Sequence, residues 1–345
     1  MQVFWDPIQL AHTPRFFLVR GQVCPNFEVP ARPEALLLAC QSMGLPIATP
    51  GQLDMGAVTA VHDPAFVAFL RDGYAAWEAL PNRGEEMVAN AHPAPEALLH
   101  AAPPSHIVGQ LGWYTADCAC PIGKGTWVAI EAAASGAIAA ADAVAAGGSA
   151  YALARPPGHH AYRARAGGHC YLNNAAIAAE RLRARGAARV AVLDIDSHHG
   201  NGTQGIFWER GDVLFASVHG DPGGYYPWFT GHAHERGAGA GEGEGANLNL
   251  PLALGTGDDE WLAAVAAGVQ AVRSFGADAL VVSLGFDASK DEPLNALSVT
   301  EDGFARAGAA IGGLRLPAAI VQEGGYNVDV LGPLLTRFLT GFGGR

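Results

Sequence analysis

Positive charge, cysteine and uninterrupted apolar runs are the scarce features of this 345-residue sequence. Lys and Arg number 21 against 33 Asp and Glu, a net charge of −12. Nucleic-acid affinity rests on phosphate contacts to basic side chains, so no nucleic-acid partner is expected. The acidic balance would favour a cationic small molecule, although soluble enzymes are ordinarily acidic too. Five cysteines (Cys24, Cys40, Cys118, Cys120, Cys170) are too few and too scattered for a disulfide framework. Cys118 and Cys120 form a C-x-C pair with no second pair at zinc-finger spacing, so all five read as reduced thiols. The opening MQVFWDPIQLAH has no basic region and no small-residue cleavage site, so no secretory signal is expected. The most apolar long stretch, residues 128–148, is mostly alanine and is interrupted by Glu131 and Asp142. It reads as a packed helix, not a membrane span. Together these absences predict a cytoplasmic protein.

Half of the residues are hydrophobic and 16% are charged, which suits a sizeable core. From about residue 125, helices and strands alternate. An Ala-rich helix at 126–146 leads to the strand SAYALA (149–154), then to a helix at 173–186. Asn173 or Asn174 can cap that helix and Gly186 can stop it. VAVLDI (190–195), VLFASV (213–218), ALVVSLG (279–285) and AAIVQEG (318–324) read as strands, with helices at 258–275 and 301–314 before the last two. Near-continuous apolar strands between helices predict an α/β fold: one domain over residues 1–345, with a parallel sheet covered on both faces. The proline-rich segment at about 80–125 reads as a long insertion loop, a lid or an oligomer contact. The glycine-rich run at 237–252 lacks the Gly-Lys-Ser/Thr ending of a phosphate loop and reads as a connector.

The strands end in polar residues. SAYALARPPGHH ends in His159 and His160; VAVLDIDSHH delivers Asp194, Asp196, His198 and His199. ALVVSLGFD ends in Asp287, and AAIVQEGGY in Tyr326. In a parallel sheet these carboxyl ends share one edge, where α/β proteins bind ligands. Residues two apart in extended chain point the same way, so Asp196 and His198 can face one point, with Asp287 arriving from another strand. Two carboxylates and an imidazole on a divalent ion leave a position open, as in catalytic zinc sites. His159 and His160 would then accept and donate protons, and Tyr326 could hydrogen-bond a developing oxyanion. Each feature alone has a plain structural alternative. The His-His pair could be incidental, Asp196 and His198 an ordinary hydrogen-bonded pair, Asp287 a helix cap and Tyr326 a turn residue. All four alternatives holding at one sheet edge is the weaker reading.

The motifs RPPGHHA (155–161), GGHCYLNNAAIAA (167–179), LDIDSHHGNGTQ (193–204), SLGFDA (283–288) and EGGYN (323–327) occur in order. With them the sequence resembles the zinc-dependent, histone-deacetylase-like amidohydrolases of the arginase/deacetylase superfamily. HGDP (219–222) and the insertion extend the likeness to its bacterial acetylpolyamine amidohydrolases. The D-x-D-x-H motif, without a second carboxylate two residues after Asp287, speaks against the dimanganese branch of that superfamily. The resemblance implies Zn2+ (or Fe2+) on Asp196, His198 and Asp287, His160 as general base and His159 as the partner that is charged or donates a proton. It further implies that Asp194 orients His159, that Asn201 pairs with His160 and that Tyr326 polarises the carbonyl. Gly168, His169 and Tyr226 would line the acyl tunnel, with Leu294 near its gate. A structural K+ would sit by the backbone of Asp194, His198 and Ser217. The implied partners are a small acetylated amine and a second copy of the chain, docked through the insertion. His169 stands where relatives carry an aromatic or phenolic residue. Val108 and Ala119 stand where acidic residues would receive distal ammonium groups, and Asp117, or Asp291 and Glu292, could substitute. A protein lysine deacetylase and a broader small-amide hydrolase are the alternatives.

Overall fold

Strands that are apolar on both faces must be covered on both, and the computed structural model, which describes residues 1–228, 238–294 and 296–344, has that architecture. Its strands are β1 (Gln2–Phe4), β2 (Phe16–Val19), β3 (Gln22–Pro25), β4 (Ile47–Ala48), β5 (Ser149–Ala152), β6 (Val190–Asp194), β7 (Val213–Gly220), β8 (Asn247–Leu252), β9 (Ala279–Leu284) and β10 (Ala318–Gln322). β2 and β3 form an antiparallel hairpin. The other eight form one sheet in the order β4-β1-β5-β10-β9-β6-β7-β8, every neighbouring pair parallel. Alternate residues feed opposite cores. Val190, Val192, Val213, Phe215, Val281 and Val321 pack toward one face, with helices Thr126–Ala145 and Asn174–Ala184. Ala191, Leu193, Leu214, Val282 and Ile320 pack toward the other, where helices Asp258–Phe275, Glu301–Gly312 and Val328–Phe342 contribute Trp261, Phe304, Leu335 and Phe338.

The topology makes the crevice. After β5 the chain passes two positions to reach β6 and runs outward through β7 and β8. It then returns as β9 and β10 to fill the gap. The carboxyl ends of β5, β10, β9 and β6 therefore lie side by side, while their connections leave in different directions. Register keeps the edge level: Asp194 is paired with Ser283 of β9 and Ser217 of β7.

The expected strands and helices are present, with Asn173 accepting the Ala176 N–H as the cap of helix Asn174–Ala184. Helix Thr126–Ala145 is long and apolar enough by composition to span a bilayer, but its Ala133, Ala134, Ala137, Ala140 and Ala141 are buried against the sheet side. The insertion differs from expectation, because it contains helix Ile107–Tyr114 as well as the single turn Pro95–Leu98. Ile107, Leu111 and Tyr114 recur at helical spacing and are buried, while Pro103, Pro104, Gly109 and Gly112 disguise the period in sequence. The glycine-rich connector leads into β8 as expected; its first residue, Gly237, lies outside the described residues.

Candidate active site

Beyond β6 the chain bends out of the sheet, carrying Asp196 and His198 toward Asp287 just past β9. His198 Nδ1 lies 3.0 Å from Asp196 Oδ1 and 3.0 Å from Asp287 Oδ2, with all three side chains buried. Backbone amides aim the carboxylates: Gly324 N–H donates to Asp196 Oδ2 at 2.8 Å and Ser197 N–H to Asp287 Oδ1 at 2.8 Å. Gly324 must be glycine here, because a Cβ would press into both carboxylates. The His198 ring stacks on Tyr225 at 4.4 Å. Burial opposes charge on His198, but Asp287 and Asp196 outweigh it and push its pKa up to about 9. Two buried carboxylates that draw a proton onto the ring between them are short of positive charge. One neutral imidazole nitrogen and two carboxylate oxygens within 4.8 Å of one another suit a divalent transition metal with an open position. A second buried group, His159, Cys170 and Glu323, is equally close. It suits a metal poorly, because burial holds the Cys170 thiol protonated and Glu323 already accepts two backbone amides.

The loop after β5 supplies the histidine pair, with ring centroids 4.0 Å apart. His159 Nδ1 meets Asp194 Oδ2 at 2.9 Å, and its Nε2 lies 3.7 Å from Asp196 Oδ1. Burial disfavours its charge, but Asp196, Asp194 and Glu323 raise its pKa well above the usual value. His160 goes the other way. Burial, with His159 and His198 beside it, drives its pKa well down. Its Nδ1 meets Asn201 Oδ1 at 2.6 Å, and Asn201 Nδ2 donates to Tyr162 Oη at 2.9 Å. That contact assigns the Asn201 oxygen to His160, hence the proton to Nδ1, and leaves Nε2 as an acceptor. One histidine is charged and its neighbour neutral. Glu323, fully buried, anchors the loop by accepting from Gly158 N at 2.7 Å and His159 N at 3.1 Å.

Tyr326 follows β10. Its backbone N–H donates to the Glu292 carboxylate at 3.0 Å, and the Arg32 guanidinium lies over its ring, 4.7 Å from the centroid. Arg32 also donates to the carbonyls of Glu323 and Gly325, and Glu28 ties it to Arg155. Burial holds the Tyr326 phenol well above its usual pKa, so it keeps its proton. A cavity of about 400 Å3 opens from His160, His198 and Tyr326. Gly168, His169, Tyr226 and Leu294 line it, as do Phe17, Leu18 and Arg20 from the β2–β3 hairpin and Phe27 just beyond it. Burial lowers His169 to about 4, so that wall is uncharged.

The family model for the histone deacetylase domain matches residues 27–342. The chain belongs to the histone deacetylase family. This family member is 45% identical to acetylpolyamine amidohydrolase of Burkholderia pseudomallei over 99% of both chains. It is 42% identical to acetylpolyamine amidohydrolase 2 of Pseudomonas aeruginosa, over 100% of this chain and 99% of the other. The crystal structure of the acetylpolyamine aminohydrolase from Burkholderia pseudomallei matches with a TM-score of 0.95 at 44% identity, covering 99% of this chain and 98% of that one. The chain is accordingly a hydrolase of the deacetylase class.

Within this deacetylase, the residues expected to receive distal ammonium groups are dispersed. Ala119 lines the cavity, but Val108 packs against the hydrophobic core. Glu292 is buried beneath Tyr326 and occupied by backbone amides, and Asp291 is exposed to solvent. Asp117 lies behind the wall, where it accepts from Tyr226 Oη at 2.6 Å. Among the described residues that line the cavity, none is acidic. A larger surface cleft, about 630 Å3, lies at the opposite edge of the sheet among Met1, Ser149, Arg315 and Pro317 and holds no comparable cluster among the described residues.

Proposed function

We propose that this deacetylase hydrolyses the acetamide of acetylated polyamines or similarly slender acetylated amines. The observation that carries the reading is a cation-seeking trio that reaches the floor of one narrow cavity through His198, beside a neutral histidine and a protonated tyrosine. Full-length similarity to acetylpolyamine amidohydrolases supports the substrate class. Zinc, or ferrous iron, held by Asp196, His198 and Asp287 would supply a Lewis acid for the amide carbonyl and lower the pKa of a water molecule. His160 Nε2 takes the proton from the attacking water. The Tyr326 hydroxyl donates to the carbonyl oxygen as negative charge builds on it. As the C–N bond breaks, the departing amine collects a proton from the histidine pair. Asp194 keeps His159 charged and oriented, and Asn201 fixes His160. Gly168, lacking a Cβ, leaves clearance beside Tyr226 and His160, His169 lines the same cavity, and Leu294 borders the mouth.

The proposal includes a potassium ion by the backbone of Asp194, His198 and Ser217, supported by the pairing of Asp194 with Ser217. It also includes a cytoplasmic homodimer formed through the 80–125 insertion; light scattering that finds a monomer at working concentration overturns that part. A broader amide hydrolase is favoured by one observation, the lack of acidic residues among the described cavity lining. Acetate release by the zinc-loaded protein decides between them. Acetylated putrescine, cadaverine and spermidine are expected to outpace both an acetyl-lysine peptide and N-butylacetamide. Equal or faster turnover of the neutral amide would establish the broader activity.

A further inference from the structure

Two successive residues on the cavity wall, Gly168 (φ +51°) and His169 (φ +66°), have left-handed backbone. That conformation is uncommon for histidine, and here the surroundings hold it. The constraint comes from the insertion. Asp117 Oδ2 accepts from Gly168 N at 3.1 Å and from Tyr226 Oη at 2.6 Å, while its Oδ1 accepts from Ala119 N at 2.7 Å. The Ala119 carbonyl in turn accepts from His169 N at 3.1 Å. The wall has no slack: a Cβ on Gly168 would lie 2.6 Å from the His160 ring and 2.7 Å from Tyr226 Oη.

We infer that Asp117 is the positioning residue that braces this wall and, through Tyr226 and Gly168, sets the width of the passage to His160. The inference rests on the reading of the cavity as the path of the acylated chain. With three donors already on its two oxygens, Asp117 is committed to the wall instead of receiving a distal ammonium group. Removing it frees the Tyr226 hydroxyl and leaves the Gly168 N–H without its carboxylate. The passage then widens.

The test uses the full-length, metal-loaded protein with Asp117→Ala, Asp117→Asn, Tyr226→Phe and the Asp117→Ala/Tyr226→Phe pair. Hydrogen exchange reads the brace without reference to activity. Amides of residues 167–170 are expected to exchange about ten-fold faster or more in Asp117→Ala, with distant core amides unchanged. In turnover of N-butylacetamide, each single variant is expected to lose about ten-fold or more in kcat/KM. The double variant loses little beyond Asp117→Ala alone, because removing the carboxylate already breaks the one hydrogen bond that Tyr226→Phe would remove. The rate on N-butylbutyramide relative to the acetamide is expected to rise. Unchanged exchange at 167–170 overturns the inference, as do additive losses with an unchanged acyl preference. A loss confined to acetylputrescine also overturns it, because Asp117 would then act as a charge receptor. If Asp117→Ala does not fold, Asp117→Asn with Tyr226→Phe completes the same cycle. Inactivity of the wild-type chain on every acetylated amine would sink the proposed function, and the exchange measurement would still decide the brace.

Discussion

The Nδ1–H of His160 meets the side-chain oxygen of Asn201 at 2.6 Å, a neutral partner where its neighbour His159 has the carboxylate of Asp194. An amide orients an imidazole and supports its charge less than a carboxylate does; burial and the neighbouring His159 and His198 outweigh it, so His160 stays neutral beside a histidine that does not. Asn201→Asp supplies the missing charge and raises the His160 pKa. The base form is then lost at a higher pH, so the acidic limb of kcat/KM moves toward alkaline pH by about one unit. Activity at the optimum persists. An unmoved limb would show that His160 is not the group whose deprotonation the rate follows.

The trio around His198 gives a second expectation. Asp287→Asn keeps the shape of the site but withdraws one of two buried carboxylates that face the ring. Losing an outer-shell partner costs roughly 10–100-fold in metal affinity, and loss of a ligand should exceed that. Metal content by elemental analysis after dialysis should fall with activity, while the circular dichroism spectrum stays the same. Full zinc occupancy in the variant would remove Asp287 from the ligand set.

Tyr326 tests the oxyanion role. Its phenol is buried and protonated, and its backbone is clamped by Glu292 beneath Arg32. Tyr326→Phe removes one hydroxyl and leaves the clamp, so the ground state should be little affected. Loss of one oxyanion donor costs about 10²–10³ in kcat, and KM should move less than about three-fold. A variant that lost KM alone would make Tyr326 a substrate-binding residue.

Much of this site could be read from residue order, because a parallel sheet converts strand ends into neighbours. Asp194, Asp196, His198, Asp287 and Tyr326 each stand at or just past a β-strand that announces itself by an apolar run. What could not be read lies in segments with no such period. Strands β1 and β4 have three and two residues, too few for any alternation to register. The hairpin that brings Phe17 and Leu18 to the cavity is joined to it only through tertiary packing. Arg32 and Glu28 sit far from the sheet edge in sequence, and nothing local signals that Arg32 reaches Gly325. Glu292 and Asp117 looked like free acids because sequence gives a carboxylate its charge but not its donors.

The last prediction concerns stability and rests on His62, away from the Asp196, His198 and Asp287 trio. Its Nδ1–H donates to the Tyr162 carbonyl at 3.0 Å, and its Nε2 accepts the Asn173 N–H at 2.9 Å. Both nitrogens are used by the neutral ring, and protonation would set a donor against a donor. Burial lowers the pKa to about 4, although the carbonyls of Arg163 and Tyr162 pull the other way. An unfolded chain carries this group near 6.5, so between about 6.5 and 4 the unfolded state binds a proton that the folded state refuses. The contribution is complete above pH 6.5 and is lost as the pH falls toward 4, on the order of 3 kcal/mol in total. His62→Gln removes that linkage. Urea midpoints from pH 7.5 to 5 should fall less steeply in the variant than in the wild type, by the equivalent of up to about one proton. Measuring both proteins in the same buffers cancels the slope contributed by metal release and by other buried histidines such as His12. Parallel slopes would mean that His62 accepts its proton without unfolding, and the fixed neutral tautomer would have to be abandoned.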